Sequence, residues 1–83
     1  MSEVKMYGAG WCSDCRRAKT VLDSESVQFE YVDLEADPSK AAEAEAISGR
    51  KNIPVIQFAD GEFLVEPSDA ELREALSERG LLS

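Results

Sequence analysis

Eighty-three residues suffice for one small domain with a modest core and leave no room for a second. Seventeen acidic against nine basic residues, a net charge of −8 and no histidine argue against a phosphate backbone as partner and remove the usual general base of Ser-His and Cys-His hydrolases. With 43% hydrophobic and 31% charged residues the composition is that of a folded soluble protein, and no apolar run approaches the ~18–20 residues of a membrane span. Met1-Ser2-Glu3 offers neither a basic n-region nor an apolar h-region, so a cytoplasmic location is expected. Nucleic acid and membrane are not expected as partners, and the chain is expected to be a monomer.

Glu3 to Tyr7 reads as a short strand, Val4 and Met6 on one face and Lys5 and Tyr7 on the other. Gly8 and Gly10 are expected to break it. From Cys12 to about Ser24 the apolar positions Cys15, Ala18, Val21 and Leu22 fall at helical spacing. Val27 to Asp33 alternates as a second strand. Strand, helix and strand together have the size of a βαβ unit, whose right-handed crossover makes the strands parallel neighbours.

Asp37 is suited to cap a further helix, with Pro38 in its first turn and Ala42, Ala46 and Ile47 facing inward over Ser39 to Ser48. Gly49 stands where a left-handed terminal residue is expected. After the polar loop Arg50-Lys51-Asn52, Ile53-Pro54 opens a β-prone run from Val55 to Phe58. Asp60-Gly61 is a hairpin signal, with Glu62 to Val65 as the return strand. Ser68 and Glu71 have capping-box spacing, and Leu72, Ala75 and Leu76 form an apolar stripe ended by Gly80. The order β-α-β-α-β-β-α predicts an α/β domain over residues 1–83, with a four-stranded mixed sheet and three helices.

Only two cysteines are present. Cys12 and Cys15 are three positions apart, a loop too short to staple a fold, at a strand-to-helix junction. That pattern points to thiol–disulfide chemistry. Exchange needs a thiolate, and a helix N-terminus aims free N–H groups at a sulfur placed there. Cys12, at the tip, is the expected attacking residue. Cys15, aligned with Ala18 and Leu22 on the packed side, is the expected resolving residue. Asp14 opposes a thiolate at Cys12, while Arg16, Arg17 and Lys19 favour one if their heads swing toward the tip. The pattern leaves both outcomes open. Trp11 either covers the sheet edge or docks substrate; Tyr7 is expected to pack.

The strand ending at Tyr7, Cys12-Ser13-Asp14-Cys15 at a helix start, Ile53-Pro54 and the Asp60-Gly61 hairpin together resemble the glutaredoxin-like form of the thioredoxin fold. The resemblance implies a thiol–disulfide oxidoreductase with no tightly bound cofactor, using a low-molecular-weight thiol as co-substrate. It further implies a cis Ile53–Pro54 bond beside the cysteines, with the backbone of Ile53 offered to an extended substrate. Arg50 and Lys51 would hold the small thiol, and the helix start at Ser68 and Asp69 would receive its carboxylate. Glu66-Pro67 stands where glutathione-using members typically carry Gly-Gly, and Gly8-Ala9-Gly10 lacks their frequent lysine. Ile53-Pro54-Val55, Phe58-Ala59-Asp60-Gly61 and Pro67-Ser68 are similar to the mycoredoxin branch. The implied small thiol is therefore mycothiol or glutathione, and the implied partners are disulfide-containing proteins and a flavoprotein disulfide reductase.

Two other readings use the same residues. One is an iron–sulfur or metal carrier: two thiolates without histidine fill only half a zinc shell, while the resemblance implies that a cluster would be bridged between two subunits by the first cysteine and a bound thiol. The other is a thioredoxin-fold adaptor without turnover.

Overall fold

Residues 4 to 33 form the strand–helix–strand unit that the spacing of their apolar positions predicts. In the computed structural model, which describes residues 3–82, the elements are β1 (Val4–Gly8), α1 (Ser13–Ser24), β2 (Glu30–Asp33), α2 (Lys40–Ser48), β3 (Val55–Phe58), β4 (Phe63–Val65) and α3 (Asp69–Glu78). The strands lie in the order β2-β1-β3-β4. β1 is parallel to β2 and antiparallel to β3, and β4 is antiparallel to β3. This is the thioredoxin-like arrangement of a four-stranded mixed sheet and three helices.

The two faces of the sheet are covered unequally. Val4 and Met6 of β1 and Ile56 and Phe58 of β3 pack with Cys15, Ala18, Val21 and Leu22 of α1 and with Leu72, Ala75 and Leu76 of α3. This is the main core, because two amphipathic helices present wide apolar stripes to it. On the opposite face Tyr7, Val32 and Val55 meet α2 through Ala44, with Ile47 at the margin.

Helix α2 departs from the expected pattern. Ile47 faces the sheet as expected, but Ala42 and Ala46 are exposed and Ala44 is buried in their place. The helix begins at Lys40 because residues 37–40 close a tight turn, with Lys40 N–H on the Asp37 carbonyl and Ala41 N–H on that of Pro38. That start rotates the alanines relative to the expected face, and an Ala/Glu repeat has no stripe to oppose the rotation. Asp37 does not cap the helix; its carboxylate accepts from the Ser39 hydroxyl.

A polar anchor compensates for this thin apolar contact. Tyr7 is fully buried, so its hydroxyl needs a partner, and it donates to the Glu43 carboxylate. Lys5 and Lys40 approach the same carboxylate at 3.2 and 3.3 Å. The Tyr7 hydroxyl, then Lys5 and Lys40, pull the Glu43 carboxyl down to about 2.

Strand boundaries shift for local reasons. β2 starts at Glu30 and not Val27, because the chain turns through Ser26 (φ 56°) and Val27 N–H bonds the Leu22 carbonyl. β4 starts at Phe63, since the Glu62 N–H is taken by the Asp60 carboxylate in the turn. Gly8 does not break β1. It pairs with Asp33, and its carbonyl accepts from Leu34 N–H at 2.9 Å.

Gly8 is glycine because α1 lies directly on it: a Cβ there would stand 3.1 Å from both Cβ and Sγ of Cys15. Gly8→Ala must push α1 off the sheet by a few tenths of an ångström. It is expected to cost about 1–3 kcal/mol by overpacking, read as a lower midpoint in urea with an unchanged slope.

Candidate functional site

Cys12 is the N-cap of α1, with extended backbone (φ −88°, ψ 116°). Its N–H bonds the Ala9 carbonyl at 3.2 Å, so the short Gly8-Ala9-Gly10 turn sets its position. Its Sγ takes the place of a capping oxygen and accepts the Cys15 N–H at 3.3 Å. Such a bond is stronger when the acceptor is an anion. The Cys12 thiol also lies 3.9 Å from the carbonyl oxygen of Ile53, and the Ile53–Pro54 peptide is cis. Cys12 is half-buried and Cys15 is buried, both as free thiols.

Burial pushes the Cys15 thiol up to about 12, and the Cys12 side chain beside it works in the same direction, as does the Asp14 carboxylate. A thiol held protonated in the fold adds stability below its ordinary value near 9, and that stability is lost as pH rises toward 12. The reduced protein is therefore expected to lose stability progressively above about pH 9, measured as urea midpoints at a series of pH values. The oxidised form, which has no thiol to titrate, should lack the cysteine part of this loss and keep only that of Tyr7 and Tyr31, whose phenols burial holds protonated above their ordinary value of 10.0.

The charges that the sequence left unresolved have definite partners. Arg17 bridges Asp14 at 3.2 Å and Asp69 at 3.1 Å, and also reaches the Pro67 carbonyl. Arg16 turns back to the Gly10 carbonyl at 3.1 Å, and Lys19 lies 5.6 Å from the centre of the Tyr31 ring. Asp14 is thus paired beside the cysteines, and Arg17 ties α1 to the start of α3.

At that start the capping box forms in full: Ser68 Oγ accepts from Glu71 N–H, and Glu71 accepts from Ser68 N–H. The Ser68 hydroxyl is therefore committed to its own helix. Just before it, Glu66 sits in the left-handed region (φ 49°), where glycine is at ease, and its carboxylate accepts from Asn52 at 2.9 Å.

Around Cys12 the structure gathers Cys15, Ile53 and Pro54, with Asp69 linked through Arg17. Trp11 does not cover the sheet edge; it is 69% exposed. Arg50 and Lys51 lie on the α2 side, lining an open pocket of about 340 Å³ with Leu34, Ala41, Ala44 and Ile53. The sequence reading missed Glu35, whose carboxylate accepts the Gly10 N–H at 2.8 Å and so steadies the turn ahead of Trp11 and Cys12. No local signal marks that pairing, which joins loops 25 positions apart.

A thioredoxin-like sheet whose first helix opens on a cysteine pair, beside a cis X-Pro bond, defines a dithiol member of the thioredoxin-fold class. Residues 4–64 match the family model described as Glutaredoxin, and the chain belongs to that family. The Mycobacterium tuberculosis protein Rv3198A, named as a glutaredoxin, is 32% identical over 74 residues, covering 88% of either chain. Mycoredoxin 1 of Corynebacterium glutamicum is 26% identical over 73 residues, covering 87% of this chain and 90% of its own. Among solved structures, a glutaredoxin of Archaeoglobus fulgidus superposes with a TM-score of 0.78 at 29% identity, covering 89% of this chain and 85% of that one. No helix among the described residues is long and apolar enough to cross a membrane.

Proposed function

We propose that the protein is a cytoplasmic dithiol–disulfide oxidoreductase that reduces protein disulfides and mixed disulfides with a small thiol. The observation that carries this reading is the placement of Cys12: half-exposed, capping α1, its sulfur hydrogen-bonded by Cys15 N–H and beside the Ile53 carbonyl. The Cys12 thiolate attacks one sulfur of the substrate disulfide. A Cys12–substrate S–S bond forms, the substrate S–S bond breaks, and the departing sulfur takes up a proton.

Resolution follows by one of two routes. Cys15 loses its proton and attacks the Cys12 sulfur, leaving a Cys12–Cys15 disulfide and a reduced substrate; two electrons have passed from the protein. Alternatively, where Cys12 is bound to a small thiol, a second small thiol attacks that thiol's sulfur; a small-thiol disulfide forms, the bond to Cys12 breaks, and Cys12 leaves as the thiolate, which restores the dithiol. Burial of Cys15 slows the first route, because its thiolate is costly. A thiol pool or a flavoprotein disulfide reductase would then supply electrons to the oxidised protein.

Family membership and the resemblance to Mycoredoxin 1 support a small-thiol co-substrate, mycothiol ahead of glutathione. The test is intact-mass analysis of a Cys15→Ser variant incubated with competing oxidised mycothiol and glutathione. One adduct per chain, dominated by the mycothiol mass, is expected. A variant that forms no adduct with either would overturn the reading.

A further inference from the structure

We propose that Glu35 is a positioning residue for the nucleophile: its carboxylate, seated on Gly10, fixes the turn that presents Trp11 and Cys12 and so sets the rate at which Cys12 attacks. This role deepens the redox reading and rests on Cys12 as the reacting thiol.

The turn needs a hold from outside. The Cys12 N–H on the Ala9 carbonyl, at 3.2 Å, closes it over residues 9–12, with Gly10 and Trp11 at its centre. Both central residues are exposed, so core packing does not fix them, and a glycine brings conformational freedom of its own. Two charged side chains take the place of packing. Glu35 Oε1 accepts the Gly10 N–H at 2.8 Å, and the Arg16 guanidinium donates to the Gly10 carbonyl at 3.1 Å. Arg16 belongs to α1, the helix that Cys12 caps, whereas Glu35 ties the turn to the loop between β2 and α2.

That second arm is built in advance. Leu34 N–H on the Gly8 carbonyl, at 2.9 Å, holds the two loops side by side one residue before Glu35. The Asp33 carboxylate accepts from Glu35 N–H at 2.9 Å and from Ala36 N–H at 3.4 Å, which folds the loop and leaves Glu35 reaching across to the turn. Glu35 forms no ion pair among the described residues, so its carboxylate is committed to Gly10. An N–H on a carboxylate is a charge-assisted bond, stronger than one on a neutral acceptor.

Gly10 carries the independent observation. Its φ lies outside the left-handed region, so its backbone does not demand glycine. Apart from its chain neighbours, the one atom that a Cβ there would meet within 4 Å is Glu35 Oε1, at 3.1 Å. Gly10 is therefore glycine to seat the carboxylate, and the two positions act as one unit. A turn released from Glu35 rocks Cys12 Sγ away from the Cys15 N–H at 3.3 Å and the Ile53 carbonyl at 3.9 Å. Misplacing a reacting atom by about 1 Å can cost about a hundredfold in rate, and a partial loosening about tenfold.

The test follows the first step of the reduced protein with hydroxyethyl disulfide. Glu35→Ala is expected to form the Cys12 adduct about tenfold more slowly, and the fluorescence anisotropy of Trp11, the only tryptophan, to decay faster. Glu35→Gln, whose side-chain carbonyl can accept the same N–H, is expected to recover most of both. Gly10→Ala should slow the attack in the natural background and add nothing to Glu35→Ala, the non-additivity of two residues in one contact. An unchanged rate in Glu35→Ala, or losses that multiply in the double variant, overturns the proposal. So does faster attack in both Glu35 variants, which would make the carboxylate a charge opposing the thiolate. Alkylation of Cys12 by iodoacetamide, mapped by peptide mass in the same variants, separates this role from the redox reading. No disulfide turnover by the natural protein, with alkylation that still falls in Glu35→Ala and Gly10→Ala, rejects the redox reading and keeps the positioning role. Turnover with rates indifferent to these substitutions does the opposite.

Discussion

Cys12→Ser is expected to reduce disulfide reductase activity to the uncatalysed background, a loss of at least a thousandfold. Cys15→Ser is expected to retain reactions completed by a small thiol, at up to a few-fold lower rate, and to lose those needing the internal disulfide. The asymmetry follows from geometry. Cys12 is half-exposed at the helix tip with an amide on its sulfur, whereas Cys15 is 1% exposed under Gly8 and held as a thiol by burial. Serine at position 12 keeps a cap for α1, since its oxygen can accept the Cys15 N–H. The lost activity is then chemical and not structural, which a circular dichroism melt beside the assay would establish. Retained activity in Cys12→Ser would move the nucleophile elsewhere.

The largest expected loss of stability lies in the core under that helix. Leu22 has no exposed surface and packs among Val4, Met6, Ile56, Leu72 and Leu76. Leu22→Ala removes three buried carbons from the junction of α1, α3 and the sheet, and should cost about 2–5 kcal/mol. Small domains hold only about 5–15 kcal/mol in total, so the thermal midpoint should fall by roughly 10 °C or more. Glu74→Ala, at an exposed position of α3, should change stability by no more than about 0.5 kcal/mol. Similar losses from the two substitutions would mean that Leu22 is not at the centre of the core.

Most of the fold is legible in the sequence because local signals agree with the tertiary result. The α1 stripe Cys15, Ala18, Val21 and Leu22 is the buried face, the capping box at Ser68 forms, and Asp60-Gly61 turns the hairpin with Gly61 at φ 89°. The unequal burial of the two cysteines follows from the same helical spacing. Helix α2 is where the reading fails. Alternating alanine and glutamate gives no preferred face, so the inward residue is chosen by the turn before the helix and by the Tyr7–Glu43 bond, 36 positions apart in sequence. The site charges are hidden for the same reason. Arg17 belongs to a run of basic residues whose direction the sequence leaves open, and its partners include Asp69 on α3. Such pairings depend on how helices lie across the sheet, which no local pattern encodes.

Of the two cysteines, Cys12 is the one that attacks the substrate disulfide. Reduced protein should be mixed at neutral pH with one equivalent of a small disulfide, quenched with acid within milliseconds to seconds, and mapped by peptide mass. The first adduct is expected on Cys12, followed by its loss as the Cys12–Cys15 disulfide or the free dithiol appears. A first adduct on Cys15 would contradict the assignment of the exposed cap residue as nucleophile and the buried residue as its resolving partner.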